Sequence, residues 1–396
     1  MKRHFTCFTC LIFIFYPAPA QFGSQQLAAQ SNPITTAVPF LSISPDPRAG
    51  ALGDAGAATT PDVWSTHWNA SKLAFSEKTA GAGLSYTPWM RALVPDIDMI
   101  YISAFIKPHA RGALSASFRY YSLGRNAARN IAGATAGQAG PFHWAGDISY
   151  ALLVSQRLSV AAGFRYIYSD LTNGILFNGT ATRAGVSLAA DLSANYRRRG
   201  ALFAKPAIFS SGIAVSNLGN KISYTSGPGD FIPANLRLGQ AADLLIDAAN
   251  TLSFCLDLNK LLVPTPPHYY ATSTGYVIAA GKDPDVSAWK GALQSFHDAP
   301  GGVREELNEI MICGGLEYWH GSPRLLAVRT GYFYEARTKG DRKYFTFGIG
   351  IRFMSFGLDF SYIVPKKQNN PLQNTLRFAL SFDLDRKPAS DRKTDT

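Results

Sequence analysis

Cys7 and Cys10 stand at the C-x-x-C spacing that serves thiol redox chemistry or metal binding in a cytosolic chain. Here the pair lies inside an apolar stretch, residues 5–16, that follows Lys2 and Arg3 and ends in Ala18-Pro19-Ala20. That is the form of a secretory signal cleaved before Gln21, so the pair is expected to leave with residues 1–20. Cys255 and Cys313 remain, both on the polar parity of alternating segments. If those segments are neighbours in an oxidising compartment, a cross-strand disulfide can form between them. The seven histidines are dispersed, and there is no H-E-x-x-H, no Walker A lysine loop and no G-x-S-x-G elbow. Gly348-Ile349-Gly350 begins like a dinucleotide fingerprint but lies within an alternating segment, where glycine relieves crowding. Asp46, Arg48, Asp54 and Asp62 could hold an ion, although turn and helix-cap roles suit aspartates so spaced. Catalysis, a metal and a cofactor therefore have no residues to stand on, and none is expected.

The formal charge of +11 raises the question of nucleic acid. Its one tight cluster is Arg197-Arg198-Arg199, with no aromatic-rich module around it, so a solvated turn is expected and nucleic acid is not. Outer-membrane lipid headgroups or lipopolysaccharide phosphates would use the same charge.

The elements that must position these residues are strands. In 183–196 one parity reads Ala184, Val186, Leu188, Ala190, Leu192, Ala194, Tyr196, and the other Arg183, Gly185, Ser187, Ala189, Asp191, Ser193, Asn195. Strand side chains alternate between faces, so this is one apolar wall and one wet wall, at a length that suits a tilted membrane strand. About fourteen such segments follow one another, at 81–86, 97–106, 113–122, 144–154, 158–168, 183–196 and 207–216, then 235–246, 251–262, 310–319, 325–334, 344–353, 356–364 and 375–384. The fold class is all-β, a transmembrane outer-membrane β-barrel of about fourteen antiparallel strands spanning 80–385. A secreted β-sandwich or propeller is the competitor, but its strands are shorter and its solvent face richer in Lys, Glu and Thr. Long connections at 124–141, 170–182, 218–234 and 263–309 alternate with tight ones at 155–157, 247–250, 320–324 and 354–355, and only 197–206 is too long for its class. That rhythm places the long loops outside and the arginine cluster, the N-terminal region and the polar tail 386–396 on the periplasmic side.

Two regions break the alternation. Residues 21–79, rich in Pro, Gly and Asp, form a hatch-like segment expected in the lumen or at the periplasmic mouth. In the loop 263–309, Asp285 is expected to cap a short helix with Trp289, Leu293 and Phe296 on one side. That much apolar surface either packs on the barrel, the weightier expectation, or binds a partner.

The N-terminal segment carries Pro39-Phe40-Leu41-Ser42-Ile43-Ser44-Pro45-Asp46-Pro47-Arg48-Ala49-Gly50-Ala51-Leu52-Gly53-Asp54-Ala55-Gly56, and then Trp68-Asn69-Ala70-Ser71-Lys72-Leu73-Ala74-Phe75. Together with Ser216-Asn217-Leu218-Gly219 and Pro233-Ala234-Asn235-Leu236-Arg237-Leu238-Gly239, this resembles the PorV family, outer-membrane barrels of the type IX secretion system in Bacteroidota and a branch of the FadL-like proteins. The family usually has Asn-Pro-Ala where this chain has Asn69-Ala70-Ser71. The resemblance implies a hatch motif at Pro39, Phe40, Asp46, Arg48, Gly53, Asp54, Trp68 and Asn69. It also implies binding to the C-terminal domain of secreted cargo, association with a translocon barrel, and transfer of cargo to a surface sortase. The alternative is a FadL-like channel for hydrophobic small molecules.

Overall fold

Alternation is converted into structure by strand pairing. The computed structural model describes residues 31–385 apart from 92, 93, 95, 125, 130–134, 172–181, 274, 368 and 369; the expected signal 1–20 and tail 386–396 lie outside the described residues. The strands are β1 (Lys78–Pro88), β2 (Asp98–His109), β3 (Gly112–Ser122), β4 (Asn126–Arg129), β5 (Thr135–Ala139), β6 (Phe142–Leu153), β7 (Leu158–Asp170), β8 (Gly185–Leu202) and β9 (Lys205–Gly219). They continue as β10 (Asn235–Leu245), β11 (Asn250–Leu261), β12 (His268–Thr272), β13 (Gly275–Ala280), β14 (Met311–His320), β15 (Leu326–Tyr334), β16 (Lys343–Phe353), β17 (Phe356–Pro365) and β18 (Leu376–Asp385). Fourteen of them close an antiparallel barrel in the order β1-β2-β3-β6-β7-β8-β9-β10-β11-β14-β15-β16-β17-β18. Each of the fourteen expected segments is one of these strands. The remaining four form two hairpins, β4–β5 and β12–β13, in the long loops.

Side chains sort as the period of two demands. On β8, Val186, Leu188, Leu192 and Tyr196 are exposed on the outer wall, while Ser187, Ala189 and Asn195 are buried on the inner one. One end of the barrel, where β1 begins and β18 ends, has tight turns; the other carries the long connections. We refer to these as the terminal end and the loop end.

Three expectations are corrected by the register. Arg197, Arg198 and Arg199 are not in a turn: β8 continues to Leu202 and pairs with β9 down to Leu202↔Lys205, so the long connection is an extended hairpin. Its turn is only Phe203-Ala204, both at positive φ (51° and 61°), the backbone that matches strand twist in a two-residue hairpin. The strands carrying Cys255 and Cys313 are neighbours, but Cys255 faces Gly315 and Cys313 faces Asp257. That diagonal offset puts the pair about 7–8 Å apart, beyond disulfide reach, and both thiols are free. Finally, the described part of the N-terminal segment takes the lumen, one of the two places expected for it, and enters it at the loop end rather than the periplasmic mouth. Asn32 N–H donates to Thr338 O (2.8 Å) and Ala37 N–H to Phe231 O (2.9 Å), both in loop-end connections. From there the chain descends through the barrel to β1, and at the bottom Lys107 Nζ donates to Ala74 O (2.9 Å) and Ser76 O (2.6 Å).

Candidate functional site

The descending segment is bonded to the wall along its length. Phe40, in a 3-10 turn (Pro39–Ser42), is fully buried and stacks on Tyr121 and His143, while its carbonyl, like that of Leu41, accepts from Arg119 Nη1. Pro39 opens that turn and stays exposed. Asp46 caps the helix Pro47–Gly50, accepting from Ala49 N–H at 2.9 Å, and its second oxygen accepts from Trp68 Nε1 at 2.6 Å. Arg48, the next charged residue, points at the wall. Its Nη1 donates to Asp62 Oδ2 (2.7 Å), while Nε and Nη2 meet the two oxygens of Glu317 on β14 at 2.9 and 2.7 Å. Glu317 also accepts from Arg329 on β15, which reaches Asp359 on β17, itself held by Arg352 on β16.

Gly53 sits at φ +68°, where glycine is at ease, with its N–H on Thr346 Oγ1 at 3.0 Å; an added Cβ would collide with the backbone carbonyl of Tyr332. Asp54 accepts from Tyr344 Oη at 2.7 Å, away from Asp46 and Asp62. Gly56 and Ala57 N–H both donate to Asp257 on β11 (2.7 and 2.8 Å). Asn69 Nδ2 donates to Ala57 O and Ala194 O, and its Oδ1 accepts from Ser71 N–H and hydroxyl, starting the 3-10 helix Ala70–Phe75. The four residues considered for an ion, Asp46, Arg48, Asp54 and Asp62, thus serve a cap, an ion pair and a tyrosine.

Burial shifts the ionisable groups of this segment. Burial, then the nearby Asp62 charge, pushes Asp46 up to about 6. Burial drags Lys72 down to about 8 although its Nζ donates to Gly56 O (2.6 Å) and Thr59 Oγ1 (2.9 Å). Burial also opposes the charge on Arg48, but the carboxylates of Glu317 and Asp62 outweigh it and raise its pKa further. Burial, with Arg119, Arg237 and Arg165 nearby, holds His67 well below its ordinary value; the neutral ring accepts at Nδ1 from Arg119 Nη2 (2.7 Å). A cavity between His67, Asn69, Asp191 and Ser193 has about 20 Å³, room for one water. A larger recess, about 560 Å³, lies on the outer wall among Tyr150, Leu152, Val160, Leu192 and Ile213.

The loop end carries the second constellation. A short helix at Ala288–Gln294 starts from Ser287, not Asp285, which instead faces Lys221 at 3.6 Å. Its small face is the one that packs: Gly291, Ala292 and Gln294 are buried, with Ala292 against Ala234 and Leu262. Trp289 (62 % exposed), Leu293 (73 %) and Phe296 (49 %) therefore face outward, contrary to the expected packing against the barrel. Val303 and Leu307, on the helix Val303–Asn308, are exposed as well.

What holds this surface is a cage of ion pairs that sequence reading missed. Lys260, at the top of β11, meets Glu306 (3.0 Å) and Glu309 (2.5 Å); Lys339, between β15 and β16, meets Glu305 (2.6 Å) and Glu309 (3.0 Å). Thr265 hydroxyl donates to Glu309, and Asn32 Nδ2 donates to Glu305 (3.1 Å) and Pro266 O (3.0 Å), tying the N-terminal segment to the same loop. Lys339 helps hold Glu305 below its ordinary value against the pull of burial, whereas burial and the adjacent Glu306 push Asp298 up to about 6. The sequence signal for the lumenal partners was present: Glu317, Arg329, Asp359 and Asp257 are charges on the inward parity of strands. For the cage there was none, because Lys260 and Lys339 lie far along the chain from Glu305, Glu306 and Glu309.

A family model described as type IX secretion system protein PorV matches residues 26–268. Among solved structures, the Pseudomonas putida toluene transporter TodX is similar at 10 % identity and a TM-score of 0.48, covering 90 % of this chain and 99 % of that one. The Ralstonia pickettii toluene transporter TbuX is similar at 11 % and 0.46, covering 86 % and 98 %, and a Pseudomonas aeruginosa FadL homologue at 10 % and 0.46, covering 90 % and 99 %. No curated protein sequence matches. With more than half of its length matched by that model and a closed fourteen-strand barrel around it, the chain belongs to the PorV family of type IX secretion proteins and is an outer-membrane component of that system.

Proposed function

We propose that this barrel, exported by residues 1–20, works without catalysis as a docking component: it receives the C-terminal domain of secreted cargo, associates with the translocon barrel and passes cargo to the surface-attachment sortase. The observation that supports this is the outward apolar cluster Trp289, Leu293 and Phe296, displayed on a loop that buried ion pairs fix in place. An apolar patch on a preorganised support loses little entropy on binding, and buried aromatic anchors carry most interface energy. With the long loops outside, the cluster meets cargo that has already crossed the membrane.

The experiment is co-purification from native membranes. Replacing Trp289, Leu293 and Phe296 together by serine should leave a heat-modifiable barrel and reduce captured cargo at least tenfold, as expected when anchors worth about 2 kcal/mol each are lost. Undiminished capture would overturn the loop assignment. The channel alternative requires breaking the buried Arg48–Glu317 pair to open a lumen, which counts against it.

A further inference from the structure

The extended β8–β9 hairpin lies at the terminal end, opposite the loop end where cargo docking is proposed. β7 stops pairing with β8 at Leu158↔Tyr196, and β10 stops pairing with β9 at Leu244↔Ala207, so the hairpin from Arg197 to Pro206 projects beyond its neighbours. It carries Arg197, Arg198, Arg199 and Lys205, and Arg197 N–H donates to Arg157 O (2.8 Å), which brings a fifth cation alongside. Arg157, Arg198, Arg199 and Lys205 are exposed, and none of the five forms an ion pair among the described residues. Asp247, in the neighbouring β10–β11 turn, is close enough to feel Lys205, leaving the cluster strongly positive.

Position says what this charge is for. On β8 the lipid-facing parity runs Val186, Leu188, Ala190, Leu192, Ala194 and ends in Tyr196, an aromatic of the kind that marks a membrane interface. The next residue on that same face is Arg198, paired across the hairpin with Phe209. A guanidinium directly below an interfacial tyrosine lies at the depth of lipid headgroups, its stem along the apolar edge and its charge in the polar layer. The turn residue Phe203 is 80 % exposed, an apolar tip that gains nothing from water.

We propose that this hairpin is a lipid-binding surface, with Arg157, Arg198 and Lys205 gripping the phosphates of anionic headgroups in the leaflet at the terminal end. The grip anchors the barrel's depth and tilt at its longest strands. Arginine forks suit phosphate oxygens, and each cation near an anionic membrane surface strengthens binding about fivefold at low salt.

The test is native mass spectrometry of the detergent-solubilised full-length barrel, offered equimolar phosphatidylglycerol and phosphatidylethanolamine. The wild type is expected to retain phosphatidylglycerol preferentially, and Arg157→Gln/Arg198→Gln/Lys205→Gln to lose about fivefold of that preference per cation, with heat-modifiability unchanged. Raising salt should weaken the wild-type preference, while Arg157→Lys/Arg198→Lys, which keeps the charge, should retain most of it. If the triple variant fails to fold, Arg198→Gln alone is read in the same way. A wild type without preference, or a folded variant that keeps it, would overturn the assignment. So would capture of a polyglutamate peptide by the hairpin with lipid selectivity unmoved, since that would make the partner a soluble polyanion.

Discussion

Arg48 and Glu317 are 269 positions apart in the chain and form a two-pronged ion pair, Nε to Oε2 at 2.9 Å and Nη2 to Oε1 at 2.7 Å. One residue belongs to the lumenal segment and the other to the wall, so this pair joins the two bodies. Both side chains are almost fully buried. Removing one partner leaves a charge where water cannot reach it.

The first prediction concerns that pair. Glu317→Ala strips a partner from both Arg48 and Arg329 and should cost about 3–5 kcal/mol. The measurement is the temperature at which the folded band is lost on unboiled gels. A loss of only a few degrees would show that Asp62 and Asp359 carry the two arginines alone.

Close approach of backbones makes the second. A Cβ on Gly315 of β14 would lie 2.7 Å from Leu52 Cα and Cβ, with backbone rather than a flexible side chain in the way. Gly315→Val should therefore push the segment off the wall while the barrel still closes. Planar-bilayer conductance should rise from near zero to a steady open level in the variant; equal, negligible conductance in both would contradict it.

Titration supplies the third. Burial raises Asp46 from 3.8 to about 6, so the folded state favours its protonated form. Its contribution to stability is complete below about pH 4 and fades as pH rises through about 6, a span worth about 3 kcal/mol. Lys72 has the opposite sign: lowered to about 8, it contributes most above about pH 10.5 and loses that contribution as pH falls through 8. Asp46→Asn should flatten the pH dependence of the unfolding temperature between pH 4 and 6 relative to wild type. Parallel curves would dismiss Asp46 as the titrating group.

The fourth tests the ion-pair cage. Lys339→Met with Asn32→Ala removes the contacts of Glu305 from the neighbouring loop and the N-terminal segment. Trypsin cleavage after Lys282, Lys290 and Arg304 in the folded barrel should then accelerate at least tenfold, as expected for losing about 1.4 kcal/mol or more of local stability. Unchanged cleavage would mean that Lys260 alone fixes the loop. Faster cleavage with undiminished cargo capture would keep the cage and discard the docking role.

The amino-acid sequence by itself determined the wall. Apolar and small polar residues alternate with a period of two, and a strand has no freedom to place them otherwise when one face must meet lipid; a one-residue slip would put Asp191 or Arg377 outside. The fourteen strands and the long–short rhythm of their connections follow from that local rule. The motif 39–56 was legible as a string, and Asp46 and Arg48 stood out within it, but their partners did not. Glu317, Asp257 and Tyr344 are met only because the barrel closes around the segment, a contact between residues hundreds of positions apart that no local pattern encodes. The same holds at the ends. Whether Arg197–Arg199 formed a turn or a strand depended on pairing with β9, since the turn needed only two residues in left-handed backbone. In the 263–309 loop the apolar spacing was visible, but its direction was decided by Gly291 and Ala292 fitting the narrow space above β10 and β11, which turned Trp289, Leu293 and Phe296 outward.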